Sequence, residues 1–166
     1  EKGDRLQAEM PAEISLTRWP DTGAVTVDRG PLSYSVCIGE EWKKAGGSAE
    51  WPEWEVFPKS PWNYGLVLDP DHPARDMVVK EADPDRADKP DNPWTVAHAP
   101  VEIRAKARRI PGWKLGEDQT VPPLQKSPVK SNEPEETIAL IPMGCARLRM
   151  SCLPVVGNGP NATEWR

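Results

Sequence analysis

Four kinds of side chain in this sequence could do chemistry: a spaced pair of carboxylates, two histidines, three cysteines and a concentration of tryptophan. Glu53 and Glu55 flank Trp54, and on an extended strand residues at i and i+2 share one face. Glycoside hydrolysis uses two carboxyl groups facing each other about 5–10 Å apart. A same-face pair is also a common pattern on solvated strands, so the spacing assigns no catalysis. Glu40 and Glu41 would point in opposite directions on an extended chain and carry less weight still. His72 and His98 stand in proline-rich context and lack the neighbouring partners that a metal site or a nucleophilic triad requires. Cys37, Cys145 and Cys152 match neither a C-x-x-C redox pair nor a zinc ribbon. They read as small buried apolar residues. Cys145 and Cys152 fall on one expected strand with side chains on opposite faces, which disfavours a bridge between them. No catalytic residue and no metal ligand is assigned, and no cofactor is expected in this segment.

Tryptophan is the more informative signal. Residues 42–68 hold four of the eight tryptophans among prolines and carboxylates, while the whole chain has one Phe and two Tyr. An indole is large, rigid and flat with one N–H donor, so such a cluster either fastens a loop onto a core or offers flat faces to a partner such as a sugar ring. Trp51, Trp54, Trp62 and Tyr64 are the candidate contacts with a carbohydrate or a neighbouring domain. Asn63 beside Trp62 could add directional hydrogen bonds. Trp62 is the preferred contact, because Pro61 would hold it as a unit and neighbouring prolines lower the entropy cost of presenting flat side chains.

The elements that must position these residues are strands. Period-two alternation recurs along the chain, and no window holds a 3.6-residue pattern over three or more turns. Residues 6–10, 13–19, 24–29 and 32–38 are strand candidates, separated by turn chemistry at Pro20-Asp21-Thr22-Gly23 and by Gly30-Pro31. Short candidates follow at 54–57, 66–69 and 77–80. Residues 70–93 are rich in Asp, Pro and Arg and read as surface loop. The clearest strand is 101–110, where Val101, Ile103, Ala105 and Ala107 alternate with Glu102, Arg104, Lys106 and Arg108. Residues 137–143 and 146–153 read as a terminal hairpin turning at Pro142-Met143-Gly144. Two packed sheets bury so many half-apolar strands naturally. The expected fold is all-β, an antiparallel β-sandwich of jelly-roll type with long Pro-rich loops, as one domain over residues 1–166 with a tail that frays from 154 unless Trp165 docks.

Composition narrows the partners. The chain has 166 residues, 37% hydrophobic and 28% charged, with 20 prolines and 12 glycines, which is globular and loop-rich. Its net charge of −5 comes with dispersed Lys and Arg, so no basic stripe exists to neutralise phosphates and nucleic acid is not an expected partner. No apolar run approaches the roughly 20 residues that span a bilayer, so no membrane partner is expected. The first residue is Glu rather than Met and a strand pattern begins soon after, so the chain is expected to be a piece of a longer protein. Asn161-Ala162-Thr163 matches a glycosylation sequon, a short pattern that carries little alone.

Several segments together carry a resemblance: DRGPLSY at 28–34, SPWNYGL at 60–66, APVEIRAKARRIPGW at 99–113, LQKSPVKSNEPEE at 124–136 and IPMGCARLR at 141–149. In this order they resemble the C-terminal region of the β-L-arabinofuranosidase family of glycoside hydrolases, family 127 and its relatives, over nearly the whole chain. The resemblance implies an upstream catalytic (α/α)6 barrel followed by β-sandwich domains, in a bacterial parent that is secreted or periplasmic. It also implies a zinc site of one Glu and three Cys, including the nucleophile, within the barrel. The cysteines here reproduce neither the family's adjacent Cys-Cys nor its Glu-x-Cys, so no zinc ligand or catalytic residue is carried across. The expectation is a non-catalytic accessory domain that braces the barrel and shapes its substrate cleft. A carbohydrate-binding module contacting plant-type oligosaccharides through the Trp-rich loop is the alternative, and a purely structural or oligomerising domain is the third reading.

Overall fold

Alternating apolar residues become strands in the computed structural model, which describes residues 3, 7–8, 10–83 and 90–157. The chain is all-β, with a curled nine-stranded sheet and a separate two-stranded ribbon. Strand β1 (Ile14–Arg18) pairs antiparallel with β2 (Val25–Arg29), and β2 turns into β3 (Leu32–Val36). The turn holds two residues, Gly30 and Pro31. Gly30 has φ +55° and proline fixes φ near −65°, which is the pattern of a type II′ hairpin turn, with glycine where φ must be positive. The bend expected at Gly30 is therefore present.

The first half of β3 pairs with β2 and its second half with β9 (Glu135–Pro142). One strand thereby carries the chain from one layer of the curl into the other. Beyond β9 lie β8 (Val101–Arg109), β6 (Tyr64–Val67) and β11 (Val155–Val156), with β7 (Val78–Glu81) also on β8 and β10 (Cys152–Leu153) on β2. The β11–β6 pair is parallel. Strand β8 follows the expected alternation: Val101, Ile103, Ala105 and Ala107 are buried, and the charged residues between them lie toward solvent. They meet Val25 and Val27 of β2, Tyr34 and Val36 of β3, and Ile138 and Leu140 of β9 in one apolar core.

Three expectations need correction. The terminal hairpin does not form. A short 3₁₀ turn over Met143–Cys145 follows β9, and the next residues run across β3, where the Met150 amide donates to Ser35 Oγ (2.8 Å) and the Val36 amide to the Met150 carbonyl (3.0 Å). Cys145 and Cys152 are thus not on one strand. The tail does not fray at 154, because Val155 and Val156 are fully buried against β6; residues 158–166, with Trp165 and the sequon, lie outside the described residues. A strand is also present where none was read: β4 (Glu40–Gly47) pairs with β5 (Pro52–Pro58) to form the ribbon. The candidate at 6–10 falls partly outside the described residues, and Gln7, Ala8 and Met10 are not in a strand.

Candidate functional site

The ribbon exists because β4 and β5 pair residue for residue from Glu40↔Pro58 to Lys44↔Trp54, then slip by one at a bulge before Gly46. Gly47 closes its far end with φ +76°, and a Cβ there would collide with the Trp51 carbonyl, so the turn requires glycine. Directly opposed residues share a face. One face therefore carries Glu40, Trp42 and Lys44 from β4 with Trp54, Val56 and Pro58 from β5. The other carries Glu41 and Lys43 with Glu53, Glu55 and Phe57; there Lys43 pairs with Glu41 at 3.5 Å and lies 4.8 Å from the Phe57 ring centroid. Glu53 and Glu55 share a face as expected, but both are exposed side by side on one strand rather than facing each other across a cleft.

The five residues singled out from the sequence do not form one surface. Trp51, just before β5, is 76% exposed and Trp54 is 50% exposed, whereas Trp62 is 9% exposed and Tyr64 is buried. Trp62 packs edge-to-face on Trp113, with centroids 5.1 Å apart and planes at 67°, so it is not free to meet a partner with its face. Asn63 is committed as well: its Nδ2 donates to the carbonyls of Ile110 and Trp113, 3.0 Å each, while the Ile110 amide donates back to the Asn63 carbonyl at 2.8 Å. Tyr64 donates its hydroxyl to Glu136 Oε2 (3.3 Å), and Arg109 Nε donates to Glu136 Oε1 (3.0 Å). Burial pushes the Tyr64 phenol above its ordinary value, and the Glu136 carboxylate adds to this. Residues 62–64 are a clamp fastening the link between β5 and β6 to the end of β8.

Sequence reasoning missed Trp42 as a site residue. It is 48% exposed and meets Trp54 at a centroid distance of 6.3 Å with planes at 76°. Its Nε1 donates to Glu40 Oε2 (3.1 Å), and Glu40 Oε1 accepts the Arg147 amide (3.0 Å). The signal was present as Glu40-x-Trp42-x-Lys44, an alternation that places all three on one strand face.

Beside the ribbon the surface is apolar and hollowed. A cavity of about 160 Å³ lies between Val56 and Phe57 of β5, Trp62, Leu115, Leu148 and Met150. It shares Val121, Arg149 and Met150 with a second hollow of about 230 Å³, which shares Leu124 and Cys152 with a third reaching Trp19. Together they make a trough alongside residues 148–152.

Cys145 is buried, Cys37 and Cys152 are half-buried, and none is in a disulfide. Cys37 packs on the cluster of Ile141, Cys145 and Ala146, and burial raises all three thiols above their ordinary value. Among the described residues no group of three or more His, Cys, Asp or Glu could hold a metal ion. His98 ends a 3₁₀ turn with its ring 3.0 Å from Thr95 Oγ1, and the His72 amide donates to Asp69 Oδ1 (3.1 Å), a turn contact. Among the described residues no helix is long and apolar enough to cross a membrane. Comparison of the chain with protein-family models, with curated proteins and with solved structures finds no match.

Proposed function

We propose that this chain is a non-catalytic accessory domain that braces the catalytic barrel of a family 127-like glycoside hydrolase, and that the apolar trough is its docking face. The observation that carries the reading is the trough itself, three apolar hollows joined by shared residues from Val56 to Trp19. Its lining leaves Val121 exposed and Leu124, Leu148 and Met150 half-buried, apolar surface that a partner could cover. The order of the resembling segments supplies the partner, a helical barrel upstream.

Association with a separately produced barrel of the resembled family tests the reading. Val121 is 46% exposed within the trough, so Val121→Glu should leave the fold intact and weaken binding by at least about tenfold, or about 1.4 kcal/mol. Unchanged affinity for the variant, or no association of the wild-type chain, would contradict the proposal. The isolated chain, assayed on aryl arabinofuranosides with stoichiometric zinc, should stay at the buffer rate. Turnover abolished by Glu53→Gln or Cys145→Ser would overturn its non-catalytic character.

A further inference from the structure

We propose that the ribbon face carrying Trp42 and Trp54 is a binding site for a neutral sugar ring, beside the docking trough, which begins on the same face at Val56 and Pro58. The two indoles stand nearly at right angles, 6.3 Å between centroids, and each keeps about half of its surface open. Two planes in that relation form a corner, in which a sugar ring can lie against one indole and turn an edge to the other. Sugar rings present apolar C–H surface on their faces and hydroxyls around their rim, so a complementary site is flat and apolar in the middle and polar at its margins.

The margins have that character. Glu40 stands at one end, and its two oxygens hold the Trp42 indole N–H and the Arg147 amide. Each carboxylate oxygen retains capacity for a further donor, such as a hydroxyl. Lys44 stands at the other end, directly across from Trp54, and offers an ammonium donor. The face thus combines one negative and one positive charge, which suits a neutral glycan and gives no preference for a uronate. An apolar protein surface laid here would have to desolvate both charged groups without pairing them. Sugar hydroxyls donate to one and accept from the other. The Glu40 contact fixes the Trp42 ring before any ligand arrives, which lowers the ordering cost of binding.

The experiment is an NMR titration of the whole chain with xylotriose, arabinotriose and cellotriose in the millimolar range, following each indole N–H. The Trp42 and Trp54 signals should move saturably with at least one of these sugars, while Trp62 and Trp113 stay still. Trp54→Ala should weaken binding at least about tenfold and Glu40→Gln severalfold. Trp51→Ala, which removes the more exposed ring outside this face, should leave affinity unchanged. A charged trimer, trigalacturonate, should bind no more tightly than the neutral ones. Unmoved Trp42 and Trp54 signals with all neutral sugars would overturn the site, as would a Trp51→Ala variant that loses as much affinity as Trp54→Ala. If the sugars are silent and Trp54→Ala instead weakens association with the barrel, the ribbon is a protein contact and the proposal fails. Val121→Glu should not affect the titration, so loss of the docking reading and loss of the sugar site are separately visible.

Discussion

The ribbon and the clamp are neighbours in sequence and both place tryptophan beside proline, as Trp51-Pro52 and Pro61-Trp62, yet Trp51 is 76% exposed and Trp62 is 9% exposed. The difference lies in what stands across from each. Trp62 meets Trp113 from the end of β8, and the adjacent Asn63 locks that contact with two hydrogen bonds to carbonyls. Among the described residues β4 and β5 form a ladder only with each other, and two strands cannot bury both of their faces. Proline rigidifies both segments without deciding which becomes interior. The same side chain thus serves stability in one place and presentation in the other, and the assignment depends on a long-range partner.

The largest effect should separate the two directly. Trp62→Ala leaves a void beside Trp113 and should destabilise by about 3–5 kcal/mol, whereas Trp54→Ala should cost about 1 kcal/mol or less. Urea midpoints measured on both variants check this, and equal losses would dissolve the distinction. Asn63→Ala should come next, at about 1–3 kcal/mol, because the Ile110 and Trp113 carbonyls lose their shared donor.

Glycine sharpens the comparison further. Gly30 and Gly47 both have positive φ, so a side chain strains either. Gly30 sits in the main sheet, where an added Cβ would also press on Ala12 at 3.2 Å; Gly30→Val should lower global stability by about 1–3 kcal/mol. Gly47 closes only the ribbon, so Gly47→Ala should raise amide exchange within β4–β5 and move the urea midpoint much less. Coincident midpoints for Gly30→Val and wild type would mean that the β2–β3 turn has been misread.

Alkaline pH should have the smallest effect and should act on the interior alone. The three thiols, Tyr34 and Tyr64 have folded values above their ordinary ones, burial being the first cause. Each group's contribution is complete below its unfolded value and is lost as pH rises toward the folded one. The urea midpoint should therefore decline above about pH 9, where thiols ordinarily begin to ionise, and Tyr64→Phe should flatten the part of the decline above about pH 10. A midpoint that rises with pH would contradict the burial of these groups.

The parts legible in the sequence are those where burial imposes a period. Strand β8 was plain because Val101, Ile103, Ala105 and Ala107 face the core while their neighbours face water. Strand β4 was not, because both of its faces are solvated and no apolar period marks EEWKKAGG. Alternation misled at 146–153, where Leu148 and Met150 are half-buried in a segment bonded to Ser35 and Val36 rather than to β9. At the candidate site the tryptophans were visible, but their division into exposed and interior was not, since Trp113, which decides it for Trp62, is distant along the chain.

Indole hydrogen exchange resolved by residue tests the division between presenting ribbon and structural clamp most directly. Trp113 is 1% exposed and donates its Nε1–H to the Pro122 carbonyl at 3.3 Å, so its indole should exchange only through opening of the fold, with the free energy of global unfolding. The Trp51 and Trp54 indoles should show little protection under the same conditions. Exchange at Trp113 as fast as at Trp54 would contradict the account.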